Sequence, residues 1–386
     1  MLLVLKCLVT LNLSMDSNLP EIPFRSIVNH FAIPGSYLES RPYGGGHIND
    51  TFLAEFSQAG TRVRYIFQRI NERIFPDPAA LMQNIERVTQ EAHRQLKEKG
   101  ITDSSRRALS VIPSVGGLPY HRDAHGKFWR AYLFIEGART YDVIQNERQA
   151  FEAARAFGQF QSLVAELPGE RLHETIPRFH DTRSRFDRLS QAAAADSQGR
   201  LRAVQSEWDF IREREAWVDR LLTLQRNGEI PERVTHNDTK LNNVMIDDAT
   251  DSGICVIDLD TTMPGLALYD FGDLVRTATS PVPEDEKDVS RVRMQFPMFA
   301  ALLRGYLSAA NGFLNEAEKA QLAFCGQLIT LETGIRFLTD HLEGDQYFRI
   351  SRPDHNLDRC RTQLALVKSM EAQGDAMAAL VQELAQ

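Results

Sequence analysis

Cysteine is scarce: four in 386 residues, at positions 7, 255, 325 and 360, with no CxxC spacing. That excludes a disulfide framework and a Cys-ligated zinc site, and fits a reducing compartment. Glycine and proline number only 23 and 16, which excludes collagen and low-complexity chains. Positive charge is in deficit. Lys and Arg total 44 against 52 Asp and Glu, a net charge of −8, which disfavours a general binder of nucleic acid or anionic membranes. A local basic pocket for phosphates stays compatible with that balance. Long apolar runs are missing too. The longest opens the chain as MLLVLKCLVTLNLSM, interrupted by Lys6. It is shorter than the roughly 20 residues a spanning helix needs, and it lacks a basic start and a small-residue cleavage site. Residues 1–20 are expected to be a disordered extension, with Met15 as an alternative start, on an otherwise cytoplasmic protein. What is present is ordinary globular material, 43% apolar and 25% charged. At roughly 150 residues per domain the length suggests two lobes.

The first structured stretch alternates as strands do. Three glycines precede the run Ile48 to Phe56, and Val63-Arg-Tyr-Ile-Phe-Gln-Arg-Ile70 follows the turn at Gly60, which together predict a hairpin. A helix comes next. Asp77 can cap it and Pro78 suits its first position. Leu81, Ile85, Val88, Ala92 and Leu96 form one helical stripe, and Gly100 ends it. Val111-Ile-Pro, Gly117-Leu-Pro-Tyr and Phe128 to Ile135 read as further strands. After Gly137 the pattern turns helical, with Phe151 to Val164 on one helix and Trp208 to Val218 on another. A short β-rich island interrupts at 234–262, and helical patterns resume at 290–310, 315–342 and 358–385. The boundary falls near Glu136–Gly137, giving a nucleotide-binding N-lobe over 21–136 and a catalytic, substrate-binding C-lobe over 137–386.

The β island carries the chemistry. Val234-Thr-His236-Asn-Asp238-Thr-Lys240-Leu-Asn-Asn243 has the form H-x-D-x-x-x-x-N, and Asp258 closes an apolar run twenty residues after Asp238. A carboxylate at the end of a buried strand needs a cation or a metal nearby. Phosphoryl transfer needs this set. One carboxylate orients the attacking hydroxyl and accepts its proton, while an Asn and a second carboxylate hold Mg²⁺ on nucleotide phosphates. Asp238 is therefore the candidate base, and Asn243 and Asp258 are the candidate metal ligands. Asp260 is a second-metal or supporting group. Lys240 would offset charge building on the transferring group. His236 fits a structural role within the loop. Asp258-Leu-Asp260-Thr-Thr262 also matches the DxDxT of aspartyl-phosphate phosphohydrolases. Those carry it on a first strand with alternating helices and strands after it, whereas here helices alone follow.

Gly44-Gly45-Gly46, followed by Asn49, would let backbone N–H groups approach phosphate oxygens without Cβ obstruction. A kinase small lobe also wants a cation on the third strand paired to a Glu on the next helix. That strand has no lysine. Arg69 is the candidate cation, with Glu86, rather than Glu91, as its partner. Alternation puts Arg69 on one face and Gln68 on the other, and alternation alone does not choose the face toward the cleft.

With these residues in view, the chain resembles the aminoglycoside phosphotransferase and choline kinase superfamily, and within it the N-acetylhexosamine 1-kinases. The similarity runs from about residue 22 to 370. It includes the Gly-rich turn, Phe67-Gln-Arg-Ile-Asn71, Ile176-Pro-x-Phe-His-Asp-Thr182, His236 to Asn243, Ile257-Asp-Leu-Asp-Thr261 and Tyr269-Asp-Phe-Gly-Asp273. The resemblance implies an α+β, bilobal, protein-kinase-like fold. It implies ATP and Mg²⁺ as cofactors, and phosphorylation of the anomeric hydroxyl of N-acetylglucosamine or N-acetylgalactosamine. Adenine would meet the interlobe strand at Phe134 and Glu136, and the sugar would meet Arg336 and Tyr347. Two other functions stay in view, a kinase of the same fold acting on an aminoglycoside, homoserine or choline, and a nucleotide-binding scaffold without catalysis. The partner is a small molecule, with no nucleic acid or membrane, and a monomer is favoured.

Overall fold

The computed structural model describes residues 24–44 and 48–385. The expected N-terminal extension, Gly45 and Gly46 lie outside the described residues.

A short helix α1 (Phe24–Val28) precedes strands β1 (Ser36–Pro42), β2 (Asp50–Gln58) and β3 (Thr61–Arg69). The tight turn between β2 and β3 places Ala59 and Gly60 at positive φ, 51° and 87°, the geometry that matches strand twist in a two-residue hairpin. Helix α2 (Pro78–Glu98) begins where the sequence indicates, with the Asp77 carboxylate accepting from Ala80 N at 3.0 Å. Its stripe of Leu81, Ile85, Val88, Ala92 and Leu96 is buried throughout. A turn of helix α3 (Ser104–Arg107) leads to β4 (Val111–Ile112), β5 (His121–Arg122) and β6 (Phe128–Leu133). The sheet is antiparallel, ordered β1-β2-β3-β6-β4, with β5 also pairing β6. The strand expected at Gly117–Tyr120 is instead a turn. Gly117 sits at φ +81° and Ser114 N donates to Leu118 O at 2.7 Å.

One sheet face carries Ala54, Phe56, Tyr65, Phe67, Trp129 and Ala131 and packs under α1. The opposite face looks toward the rest of the chain.

The remainder is mainly helical: α4 (Glu147–Val164), α5 (Thr182–Ala195), α6 (Gln205–Arg212), α7 (Glu215–Val218), α8 (Arg220–Arg226), α9 (Ala267–Ala278), α10 (Phe296–Ala310), α11 (Glu316–Lys319), α12 (Leu322–Glu343), α13 (His355–Glu371) and α14 (Gly374–Leu384). Where one helix was expected over 208–218, α6 and α7 are separated at Arg214, whose guanidinium reaches Glu371 at 2.9 Å. Among these helices lie β7 (Ala138–Arg139), β8 (Arg233–Thr235), β9 (Val244–Asp247), β10 (Gly253–Val256) and β11 (Met263–Gly265), paired as β10-β9-β7 and β11-β8. No helix among the described residues is long and apolar enough to cross a membrane. Cys255, Cys325 and Cys360 are buried free thiols.

Helices α4 and α10 approach closely through glycines. A Cβ built on Gly305 would stand 2.1 Å from Phe151 O, and one on Gly158 2.9 Å from Tyr306 O. Gly305→Ala must therefore push the helices apart. It is expected to cost about 1–3 kcal/mol or more, read as a lower urea midpoint.

The junction between the two regions is tied by Asp247. Its carboxylate accepts from Arg106 Nη2 at 2.7 Å, Thr250 Oγ1 at 2.9 Å and Thr250 N at 2.9 Å. The Arg106 contact and then the Thr250 hydroxyl hold this carboxyl down at about 2. A depressed carboxyl contributes its full stability above the unfolded value near 4 and loses it as pH falls through 2. With Arg106 partly solvated, the contribution is about 1–2 kcal/mol. Asp247→Asn is expected to be less stable by that amount at pH 7, with the gap closing between pH 4 and 2 in urea titrations.

Candidate active site

The loop after β8 is built around one buried carboxylate. Asn237 takes a left-handed conformation at φ 64°, which leaves consecutive backbone N–H groups needing partners. Asp270, in the first turn of α9 and fully buried, supplies them: His236 N donates to it at 2.9 Å and Asn237 N at 2.7 Å. Gln161 Nε2 on α4 adds a third donor at 2.6 Å. One helical turn on, Asp273 accepts from Thr239 N at 3.0 Å, while Thr239 Oγ1 donates to Asp270 O at 2.6 Å. His236 is wholly buried. Its Nδ1 accepts from Asp238 N at 3.3 Å, so Nε2 carries the proton and donates to Ile257 O at 3.0 Å. It ties the loop to the segment after β10 that carries Asp258.

Asp238, Asn243 and Asp258 line one cleft of about 480 Å³. Asn243 Nδ2 donates to Asp238 O at 2.8 Å and Oδ2 at 3.2 Å, which leaves its Oδ1 as the atom able to bind a cation. Lys240 Nζ lies 2.5 Å from Asp238 Oδ1. Burial alone would raise the Asp238 carboxyl, but the Lys240 charge and hydrogen bond outweigh it and hold the group below the usual carboxylate range. Burial works the other way at Asp258. With the nearby charges of Asp260 and Asp238 it pushes that carboxyl up to about 7, against Arg130 and Lys240. β10 stops at Val256, and Asp258 itself has φ 61°. Among the described residues no group of three or more His, Cys, Asp or Glu side chains is arranged to hold a metal. The Asn243–Asp258 pair therefore suits a hard cation that takes its other oxygen ligands from phosphates and water, as Mg²⁺ does.

The roof of the cleft differs from the sequence expectation in one decisive respect. Thr51, Gln68 and Arg130 are direct cross-strand partners on β2, β3 and β6, so their side chains share a face. That face looks into the cleft. Gln68 Nε2 donates to Thr51 Oγ1 at 3.0 Å, and Arg130 Nε donates to Gln68 Oε1 at 2.9 Å. Arg130, 1% exposed, then ion-pairs with Asp260. Arg69 occupies the other face. It donates to Asp50 at 2.6 Å, lies over Trp129, and does not line the cleft. The buried cation is thus on the neighbouring strand.

Asp260 is correspondingly committed. Besides Arg130 it accepts from Asn49 Nδ2 at 2.6 Å, so it is a partner for the roof, and Asn49 is a strut rather than a phosphate contact. Glu86 does not meet a strand cation. Helix α2 is instead clamped to the C-terminal region by Asn84, which donates to His173 O at 2.8 Å and Thr262 O at 3.1 Å. Gly44 and Phe134 line the cleft, with the Phe134 ring between Tyr43 and Arg64. Glu136 points away and ion-pairs with Arg64.

Arg336 and Tyr347 do not line this cleft. They share a separate, small cavity with Arg185 and Asp340, and the Arg336 guanidinium lies between the Phe179 and Phe348 rings. The residues that sequence reasoning passed over are Arg130, Gln161, Asp270 and Asp273. Arg130 did leave a signal, as the lone charge in the apolar run from Phe128 to Ile135.

Comparison with known proteins agrees with this geometry. Residues 39–311 match the model of the phosphotransferase enzyme family. An aminoglycoside phosphotransferase from Alicyclobacillus acidocaldarius superposes with a TM-score of 0.63 at 13% identity, over 95% of this chain and 98% of its own. A choline kinase from Cryptosporidium parvum gives 0.51 at 16% identity, over 92% and 95%. A microcompartment-associated aminopropanol kinase gives 0.52 at 15%, over 91% and 96%. At such identities the structures share a fold, and the family match reaches from within β1 to just past the end of α10, across the 236–243 loop and Asp258. By that match this chain belongs to the phosphotransferase enzyme family.

Proposed function

We propose that the protein transfers the γ-phosphoryl group of ATP to the anomeric hydroxyl of an N-acetylhexosamine. The observation that carries the phosphoryl-transfer part is the convergence of Asp238, Asn243 and Asp258 in one cleft under Gly44 and Arg130. The apolar end of that cleft, with Ile66, Leu133, Phe134, Met245 and Ile257, suits the adenine. Arg130 presents a permanent positive charge toward the phosphates. Asn243 and Asp258 would hold Mg²⁺, which on binding neutralises charge on the phosphates. Asp238 aligns the acceptor hydroxyl and takes its proton, and Lys240, paired to it, stands where charge builds on the transferring group. Positioning and electrostatics supply the rate.

The choice of an amino sugar rests on the sequence resemblance. The cleft supports it in one way. Among the described residues its aromatic lining, Tyr43, Tyr132 and Phe134, comes from the N-terminal sheet and its exit, whereas a cage for a quaternary ammonium would be expected on the elements around Asp238. The test is ATP consumption with N-acetylglucosamine, N-acetylgalactosamine, choline, homoserine and kanamycin, with the phosphate position read by ³¹P–¹H NMR. Turnover of an N-acetylhexosamine with phosphate on C1 is expected. Turnover of choline or kanamycin alone would overturn the sugar assignment and leave the kinase assignment standing.

A further inference from the structure

A second cavity lies behind the nucleotide cleft. It measures about 290 Å³, and Val88 and Ala92 of α2, Phe160 and Leu163 of α4, and Val256 and Leu259 at and after β10 form its walls. That is roughly twice the ~150 Å³ apolar cavity that accommodates benzene. Two cations, Lys99 and Arg107, stand in its lining. Arg107 is paired with Asp103 at 2.9 Å, whereas Lys99 is exposed and has no carboxylate partner among the described residues. Arg106, nearby in the chain, is likewise committed, to Asp247, so Lys99 is the cation that the rim offers to a ligand. A chamber that is mainly apolar, with Thr89, Gln159, Ser162 and Ser308 also in its lining and a cation at its rim, is complementary to an amphipathic anion.

This chamber touches the catalytic cleft. Leu109 lines both cavities. Val256 and Leu259 face the chamber while Ile257 and Asp258, between them in the chain, face the cleft. Helix α2, the outer wall, is the element that Asn84 clamps to Thr262 O, just beyond Asp260. Whatever fills the chamber therefore presses on the segment that holds the candidate metal ligand.

We propose that this chamber is an effector site for an amphipathic monocarboxylate with an apolar body of medium-chain size, with its head on Lys99, and that its occupancy is coupled to nucleotide affinity. The proposal does not depend on which alcohol the enzyme phosphorylates.

The test uses the full chain with decanoate as the probe, against decylammonium and decanol. Calorimetry is expected to show saturable binding of one decanoate. Binding should be about fivefold weaker in Lys99→Glu, which reverses one exposed charge, and weaker for decylammonium than for decanoate. Ala92→Phe, which fills the chamber, should abolish it. Decanoate should shift the affinity for a fluorescent ADP by about fivefold or more, and by linkage ADP should shift decanoate affinity equally. Binding that is absent, that is indifferent to both substitutions, or that leaves ADP affinity unchanged would overturn the proposal. Lys99 is a surface residue, so Lys99→Glu keeps the proposal falsifiable even where Ala92→Phe perturbs folding.

Discussion

Asp238→Asn is expected to lower kcat about a thousandfold, the usual contribution of a positioned general base, equivalent to about 4 kcal/mol of transition-state stabilisation. The substitution keeps the shape of the side chain, removes the charge and the basicity, and leaves one acceptor oxygen, which Lys240 then takes in preference to the longer contact from Asn243 Nδ2. Asn243 Nδ2 also donates to Asp238 O, at 2.8 Å, so the loop geometry survives. The clamp from Asp270 acts through backbone N–H groups and is untouched. ADP affinity, measured by fluorescence, should change little, because Asp238 serves the acceptor side of the cleft. The Asp238 charge is one of the influences raising the Asp258 carboxyl, so its loss should ease that group downward. A variant that keeps kcat within tenfold of the parent would remove Asp238 from the base role.

Arg130→Met carries the largest expected effect on stability. It leaves Asp260, 3% exposed, with Asn49 as its one remaining side-chain partner among the described residues. Orphaning one member of a buried ion pair typically costs 3–5 kcal/mol. The melting temperature should fall by roughly 5–10 °C, and ADP affinity should fall with it, since a cation leaves the roof. Asp260→Asn added to Arg130→Met removes the uncompensated charge. The double variant should recover most of the lost melting temperature without recovering ADP affinity or turnover. That split separates Arg130 as a phosphate-side cation from Arg130 as a structural tie. Arg130→Lys retains the charge but not the fork that joins Gln68 and Asp260, and should fall between parent and Met in both measurements. Recovery of ADP affinity in the double variant would show that the roof cation does not serve the phosphates.

The two expectations also locate what could be read from the amino acids. Asp238, Lys240 and Asn243 occupy one loop, and spacing over a few residues is preserved in any fold that forms the loop at all. The stripe of α2 and its Asp77 cap were legible for the same reason: helix period and capping are local. The α+β order, strands first and helices after, followed from period and turn residues. Arg69 shows where this reading stops. Alternation established that Gln68 and Arg69 face opposite ways, but nothing local says which side is roofed by α1 and which opens on the cleft.

The sequence by itself determined the spacing of Asp238, Lys240 and Asn243 within one loop and the helical and strand periods, because each depends on contacts within a short stretch of backbone. Tertiary structure alone decided the rest. It brought Arg130 to Asp260 across 130 positions of chain. It placed Asp270 beneath the loop and set Arg336 between two aromatic rings away from the cleft. A charge buried by one element is answered by whichever element the packing brings opposite, and that partner is chosen by how the sheet and helices meet, not by distance along the chain.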